Sequence, residues 1–179
     1  MLYILILTQF LWAQDLSLEG RWIQTCVNGS VREELFTQDY VTLTESSYQD
    51  LQCQRAFLTF KNEGPYQASE GKMDFTFKKV SVILHEAGLL KDFNTRQVCG
   101  FTDWALDTPK DITGMTCKLF EDWSALKAPR EGEMRFGTYK IEQNKEGDRL
   151  FFGRLTKDRD ALSPEKRPHL LDPRYYIRQ

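Results

Sequence analysis

The chain holds two imidazoles, His85 and His169, and they stand far apart in sequence. No G-x-S-x-G accompanies them, so no nucleophile elbow is indicated. Gly71-Lys72 is followed by Met73, where a phosphate-binding loop needs Ser or Thr. Asp158-Arg159-Asp160 lacks the glycine and the distal glutamate of a calcium-binding EF-hand loop. Asp103, Asp107 and Asp111 recur at four-residue spacing between two cysteines. In a loop their carboxylates could gather Ca²⁺, which prefers oxygen ligands. Aspartate is equally the ordinary turn and N-cap residue, bonding to nearby backbone, and Thr108-Pro109 opposes one continuous helix through the three.

The densest unusual stretch is Cys99-Gly100-Phe101-Thr102-Asp103-Trp104. Phe101, Asp103 and Trp104 are candidate ligand or rim residues, from a loop lying over a pocket. The competing account is that the two aromatics plug one end of the fold and a disulfide staples them there. No catalytic residue, metal site or cofactor is expected. An enzyme would require a cleft gathering His85 or His169 with Asp103 or Asp111.

Four cysteines, Cys26, Cys53, Cys99 and Cys117, contain no C-x-x-C pair, which argues against a zinc ribbon or a thioredoxin-type site. Three pairings are possible. Cys26–Cys53 and Cys99–Cys117 are expected, because each pair flanks one compact stretch. Each bridge would contribute about 3–4 kcal/mol by restricting the unfolded chain.

Disulfides need an oxidising compartment, and the start of the chain agrees. Residues 1–13, MLYILILTQFLWA, carry no charged side chain. The apolar run is too short to span a bilayer and suits the core of an export signal, with Leu11 and Ala13 at the −3 and −1 positions of a cleavage site. The usual basic segment before it is missing. The expectation is a signal peptide over 1–13 and one domain over 14–179, secreted or periplasmic, with no transmembrane span in the mature chain.

The 179 residues are 41% hydrophobic and 13% aromatic, with a net charge of −2. That composition describes one folded domain with a real core. It excludes the global positive field that would hold nucleic acid. The C-terminal third is net positive. Arg154, Lys157, Arg159, Lys166, Arg167, Arg174 and Arg178 there form either an anion-docking strip or a solvated surface.

The hydrophobic pattern is mostly period two. It predicts strands over Gly20–Val27, Glu33–Phe36, Tyr40–Glu45, Arg55–Lys61, Met73–His85, Glu133–Gln143, Arg149–Leu155 and Arg174–Arg178. Asn28-Gly29 signals a tight hairpin, Gly64-Pro65 a break, and Lys78-Lys79 a bulge. Short helices are predicted over Glu86–Asn94 and Phe120–Leu126. The predicted fold is all-β: an antiparallel, closed or nearly closed barrel of about eight strands, since closure removes exposed edges.

With Gly20-Arg21-Trp22 opening the first strand, the chain resembles the lipocalin-like (calycin) barrels, whose first strand carries G-x-W. The resemblance implies that Gly20 and Trp22 are structural, that Trp22 closes one end of the barrel, and that an arginine near the last strand, Arg174 or Arg178, packs over it. Thr102-Asp103-Trp104 is similar to the family's T-D-Y turn. Ala105–Gly114 does not read as the strand a lipocalin has next. The layout is closest to uncharacterised secreted bacterial proteins with a G-x-W-x-x-x-C start, a Y-x-D-x-x-C element and a C-G-x-x-D-W loop, here Gly20–Cys26, Tyr48–Cys53 and Cys99–Trp104. No function carries over from that group.

The expected function is therefore non-catalytic binding of a small apolar or amphipathic molecule inside the barrel, by fold analogy. The alternative is a protein-interaction or inhibitor module with a filled barrel, whose partner docks on Phe101–Gly114 or the Arg-rich tail. An enzyme is the third reading. Nucleic acid is not an expected partner.

Overall fold

A computed structural model describes residues 17–122 and 124–179. The predicted signal over 1–13 lies outside these residues.

Asn28 and Gly29 both take positive φ, 51° and 72°. That pair of angles gives the turn whose twist matches two antiparallel strands. It joins β1 (Gly20–Ile23) to β2 (Ser30–Phe36). Next come β3 (Tyr40–Tyr48), β4 (Ala56–Ser69), β5 (Lys72–Thr76) and β6 (Lys79–Leu84). One α-helix follows, α1 (Ala87–Arg96), then three two-residue strands: β7 (Lys110–Asp111), β8 (Thr116–Cys117) and β9 (Leu126–Lys127). The chain ends with β10 (Met134–Glu142), β11 (Arg149–Gly153) and β12 (Leu171–Arg178).

Eight of these strands close into one antiparallel barrel, in the order β3-β2-β1-β12-β11-β10-β5-β4, with β4 returning to β3. β6 lies beside the first part of β4 and carries β7 on its far side. Among the described residues no helix is long and apolar enough to cross a membrane.

Three sequence expectations are corrected. Met73–His85 is not one bulged strand: the chain breaks at Phe77-Lys78 into β5 and β6, which pair with different parts of β4. Gly64-Pro65 does not end a strand; β4 runs straight through it. β4 pairs with β6 up to Glu63 and with β5 from Tyr66, so the proline's missing N–H falls at the change of partner, where a ladder loses least. The helix over Phe120–Leu126 is not formed: Glu121 and Asp122 lie in a turn, and Leu126 belongs to β9, paired with β8. A short apolar run does not distinguish helix from strand by its period alone.

The other predicted helix forms. The Glu86 carboxylate accepts from the N–H groups of Gly88 and Leu89 at 2.8 and 2.6 Å, which caps α1. Gln97 in a left-handed conformation ends it.

The cysteines pair as Cys26–Cys53 and Cys99–Cys117. The first ties the start of the β1–β2 hairpin to the β3–β4 loop. The second holds the segment after α1, where Phe93 packs edge-on against both Trp104 and Phe120.

Trp22 is fully buried. Its indole N–H donates to the Leu18 carbonyl at 2.7 Å. The Arg178 guanidinium lies 4.3 Å from its ring centroid, a cation–π distance. Arg178 is fixed there by the carbonyls of Glu19 and Ser17 at 2.6 and 2.7 Å and by Asp148 at 3.1 Å. Gly20 has φ +116, and a Cβ on it would lie 3.5 Å from the Arg178 guanidinium. A glycine therefore suits this position by its backbone angle, the approach to Arg178 being an ordinary contact.

Candidate functional site

Trp22 and Arg178 close one end of the barrel. Above them the interior is not filled. It holds a cavity of about 620 Å³, within the range of small-molecule sites. Leu155 both lines the cavity and is 64% exposed, so it marks the mouth, beside Arg154 in the segment after β11.

The cavity has two kinds of wall, and strand alternation makes both. Residues two apart on a strand face the same way. On β2 this turns Arg32 and Glu34 inward together with the core residue Phe36; on β12 it turns in Asp172, Arg174 and Tyr176. With Gln24 following β1, these form the polar wall. The apolar wall is Met73, Phe75 and Phe77 with Leu43 and Phe152. Phe152 packs edge-on against Tyr176 at 5.4 Å, where the two walls meet. Gly137 leaves space between them, opposite Met73 in the ladder.

Most charges on the polar wall are paired. Arg174 takes both oxygens of Asp172, at 2.9 and 2.7 Å. That hydrogen bond, against the cost of burial, holds the Asp172 carboxyl down at about 2. Arg32 reaches Glu45 at 3.2 Å. Glu34 is different. It is registered with Trp22 near the closed end. Among the described residues it takes part in no salt bridge; its partner is the Tyr176 hydroxyl. Burial pushes its carboxyl up to about 7, although the bond from Tyr176 and the field of Arg32 work the other way. Burial and the Glu34 charge together push the Tyr176 phenol well above its ordinary range.

A raised carboxyl destabilises the fold once it ionises. Unfolded Glu34 would lose its proton near its ordinary value of 4.5, folded Glu34 only near 7. Stability is therefore greatest below that window and falls as pH rises through it, by at most about 3 kcal/mol. Glu34→Gln should remove this slope, gaining about 1–3 kcal/mol over wild type near pH 8 and nothing near pH 4. Urea melts at the two pH values measure it. A variant that kept the wild-type slope would show that another group carries it.

The structure brings the sequence candidates to three separate places. Gly20, Trp22 and Arg178 make the closed end. Arg174, the other arginine considered for Trp22, stands on the cavity wall instead. Phe101, Asp103 and Trp104 lie outside the cavity: Trp104 is 4% exposed, donates from its indole to the Val98 carbonyl at 3.1 Å, and packs on Phe93 and Phe101.

The three aspartates do not converge. Asp103 pairs with Lys110 at 2.9 Å, Asp107 with His85 at 2.6 Å, and Asp111 accepts from Thr113. Among the described residues no three His, Cys, Asp or Glu side chains gather to hold a metal ion. The basic tail is dispersed as well. Lys166 pairs with Asp160, and Arg167 with Asp74 and the Gly137 carbonyl.

One hydrogen-bond chain has the order of a catalytic relay. Asp107 meets His85 Nδ1 at 2.6 Å, His85 Nε2 meets Thr59 Oγ1 at 2.9 Å, and Thr59 meets Ser46 Oγ at 2.8 Å. Its would-be nucleophile Thr59 is only 5% exposed, and none of the four residues lines the barrel cavity. The chain anchors His85 at the end of β6.

The polar wall was missed in the sequence. Its signal was present in V-R-E-E-L-F: Arg32 and Glu34 share a strand face with Phe36, and charge on a core face is unusual. Comparison of the chain with protein-family models and with curated protein sequences finds no match.

Proposed function

We propose that this protein is a non-catalytic, extracytoplasmic binding protein of the lipocalin-like kind, carrying a small, partly apolar ligand inside its barrel. One observation carries the reading: an unfilled interior of about 620 Å³ with one charged and one aromatic wall. Binding sites of small molecules have this character, mostly apolar with a few placed polar groups that orient the ligand. A barrel whose only task was to present loops would gain stability by filling that space. Two disulfides and the apolar start of the chain support an oxidising compartment.

Filling the cavity tests the reading. Gly137 lines it, and a Cβ there would meet its nearest neighbour, the Met73 carbonyl, at 3.4 Å, an ordinary contact. Gly137→Leu is expected to weaken binding of a neutral solvatochromic dye such as Nile red by about tenfold or more, the cost of losing a well-fitted apolar site, while leaving the melting midpoint within a few degrees of wild type. Unchanged dye binding by the folded variant would place the dye, and the function, outside the barrel.

A further inference from the structure

We propose that the ligand of the barrel is a small organic cation, an aryl or alkyl amine whose ammonium group sits against Glu34 and Tyr176 while its body lies on the apolar wall. The proposal rests on the reading of the barrel as the binding site and names the chemistry of what it binds.

Most charges of the cavity lining are matched in pairs. Arg32 is paired with Glu45 at 3.2 Å, Arg174 with Asp172 at 2.7 Å, Arg135 with Glu133 at 2.8 Å, and Asp160 with Lys166 at 3.2 Å. Among the described residues, two carboxyl or guanidinium groups of the lining stand outside these pairs. One is Arg154, exposed at the mouth. The other is Glu34, inside, next to Trp22 in the ladder. The interior therefore has one group without an ion-pair contact, and it is a carboxyl, acted on only by the field of Arg32.

Glu34 is half-buried on the cavity wall, and an ionised carboxylate partly screened from water without a counter-ion is costly. Burial raises the Glu34 carboxyl towards its neutral form, the direction that relieves this cost. A bound ammonium would supply the missing counter-ion. The Tyr176 hydroxyl is close enough to Glu34 to favour its charged form, and a carboxylate has further lone pairs to offer a ligand N–H.

The surroundings suit the same head group. Phe75, Phe77, Phe152 and Tyr176 bring aromatic rings to the cavity, and a cation is attracted to their faces. An anion meets the reverse. It would lie near Glu34, and to reach Arg174 it would have to displace a two-point pair with Asp172, among the stronger hydrogen-bond arrangements.

The test uses three probes with one body and three heads: phenylbutylamine, phenylbutanol and phenylbutanoate. Their affinities are measured by calorimetry on the full chain, near pH 8 and near pH 5. The charged and titratable groups on the walls around Glu34 are Arg32 on β2, Glu45 on β3, Arg135 on β10, and Asp172, Arg174 and Tyr176 on β12; Gln24, Trp22 and Asn62 are uncharged.

The amine is expected to bind about tenfold or more tighter than the alcohol near pH 8, as a charge-assisted bond requires. That advantage should vanish near pH 5, where Glu34 is protonated, and in Glu34→Gln at either pH. If that variant does not fold, the wild-type pH profile decides alone. Equal binding of the three probes would overturn the cation assignment and leave a ligand-carrying barrel standing. Tightest binding of the carboxylate would overturn it in favour of the arginines of the lining. Binding of none would overturn both the assignment and the reading beneath it.

Discussion

Replacing Trp22 with alanine is expected to cost about 3–5 kcal/mol of folding free energy, the range for large aromatic truncations in a packed core. The reasons are on three sides of the ring. The side chain is wholly buried, with Leu18 and Phe36 in the same core. Its N–H satisfies the Leu18 carbonyl, so truncation leaves a polar group near the closed end without its donor. Its face holds Arg178, which also ties the last strand to the segment before β1. Removing the ring takes away the seat of that arginine. Urea denaturation of wild type and Trp22→Ala measures the effect. A midpoint close to wild type would show that Trp22 does not hold the barrel closed.

Gly64→Ala should be nearly as damaging, for a reason of space. The backbone of Gly64 is not in the left-handed region, so no conformational strain is at issue. A Cβ at this position would lie 1.9 Å from the Thr76 carbonyl oxygen and 3.0 Å from the Lys78 nitrogen. Both obstacles are backbone, so no side chain can swing aside. β4 must come this close because it hands over from β6 to β5 here, and the Lys78 N–H bonds to the Glu63 carbonyl at 2.8 Å. Even one methyl group would pry the corner open, at a cost of about 3 kcal/mol or more, beyond ordinary overpacking. Gly137→Leu adds a larger side chain into empty cavity and should cost far less. The two glycine variants, melted side by side, check the account: similar losses would contradict either the close approach at Gly64 or the hollow at Gly137.

Much of the fold was legible in the sequence because its signals are local. Alternation of apolar residues fixed the faces of the strands. Asn28-Gly29 specified a hairpin turn that few other dipeptides allow. The cysteine pairing followed from which stretches were compact. What failed depended on partners distant in sequence. Gly64-Pro65 reads as a break unless one knows that β4 changes neighbour there. Phe120–Leu126 reads as a helix unless β8 is waiting for β9.

The site was less legible, for a similar reason. Alternation says that Arg32, Glu34, Asp172, Arg174 and Tyr176 point one way along their strands. It does not say that these strands lie on one side of a barrel, nor that residues facing them leave a void. A cavity is a deficit of volume summed over many side chains, and no single residue announces it. The loop Phe101–Trp104 drew attention because its aromatics are dense, yet density is also what a packed cluster requires, and there Trp104 is packed against Phe93 and Phe101.

The most direct test of a hollow, ligand-carrying barrel is a native mass spectrum of the protein purified from an oxidising compartment of its source, recorded beside that of Gly137→Leu. The wild type is predicted to carry a reproducible small-molecule mass that is lost on denaturation and is missing from the filled variant. A bare chain mass for both proteins, or the same adduct on both, would contradict the claim that the barrel interior is where this protein holds its ligand.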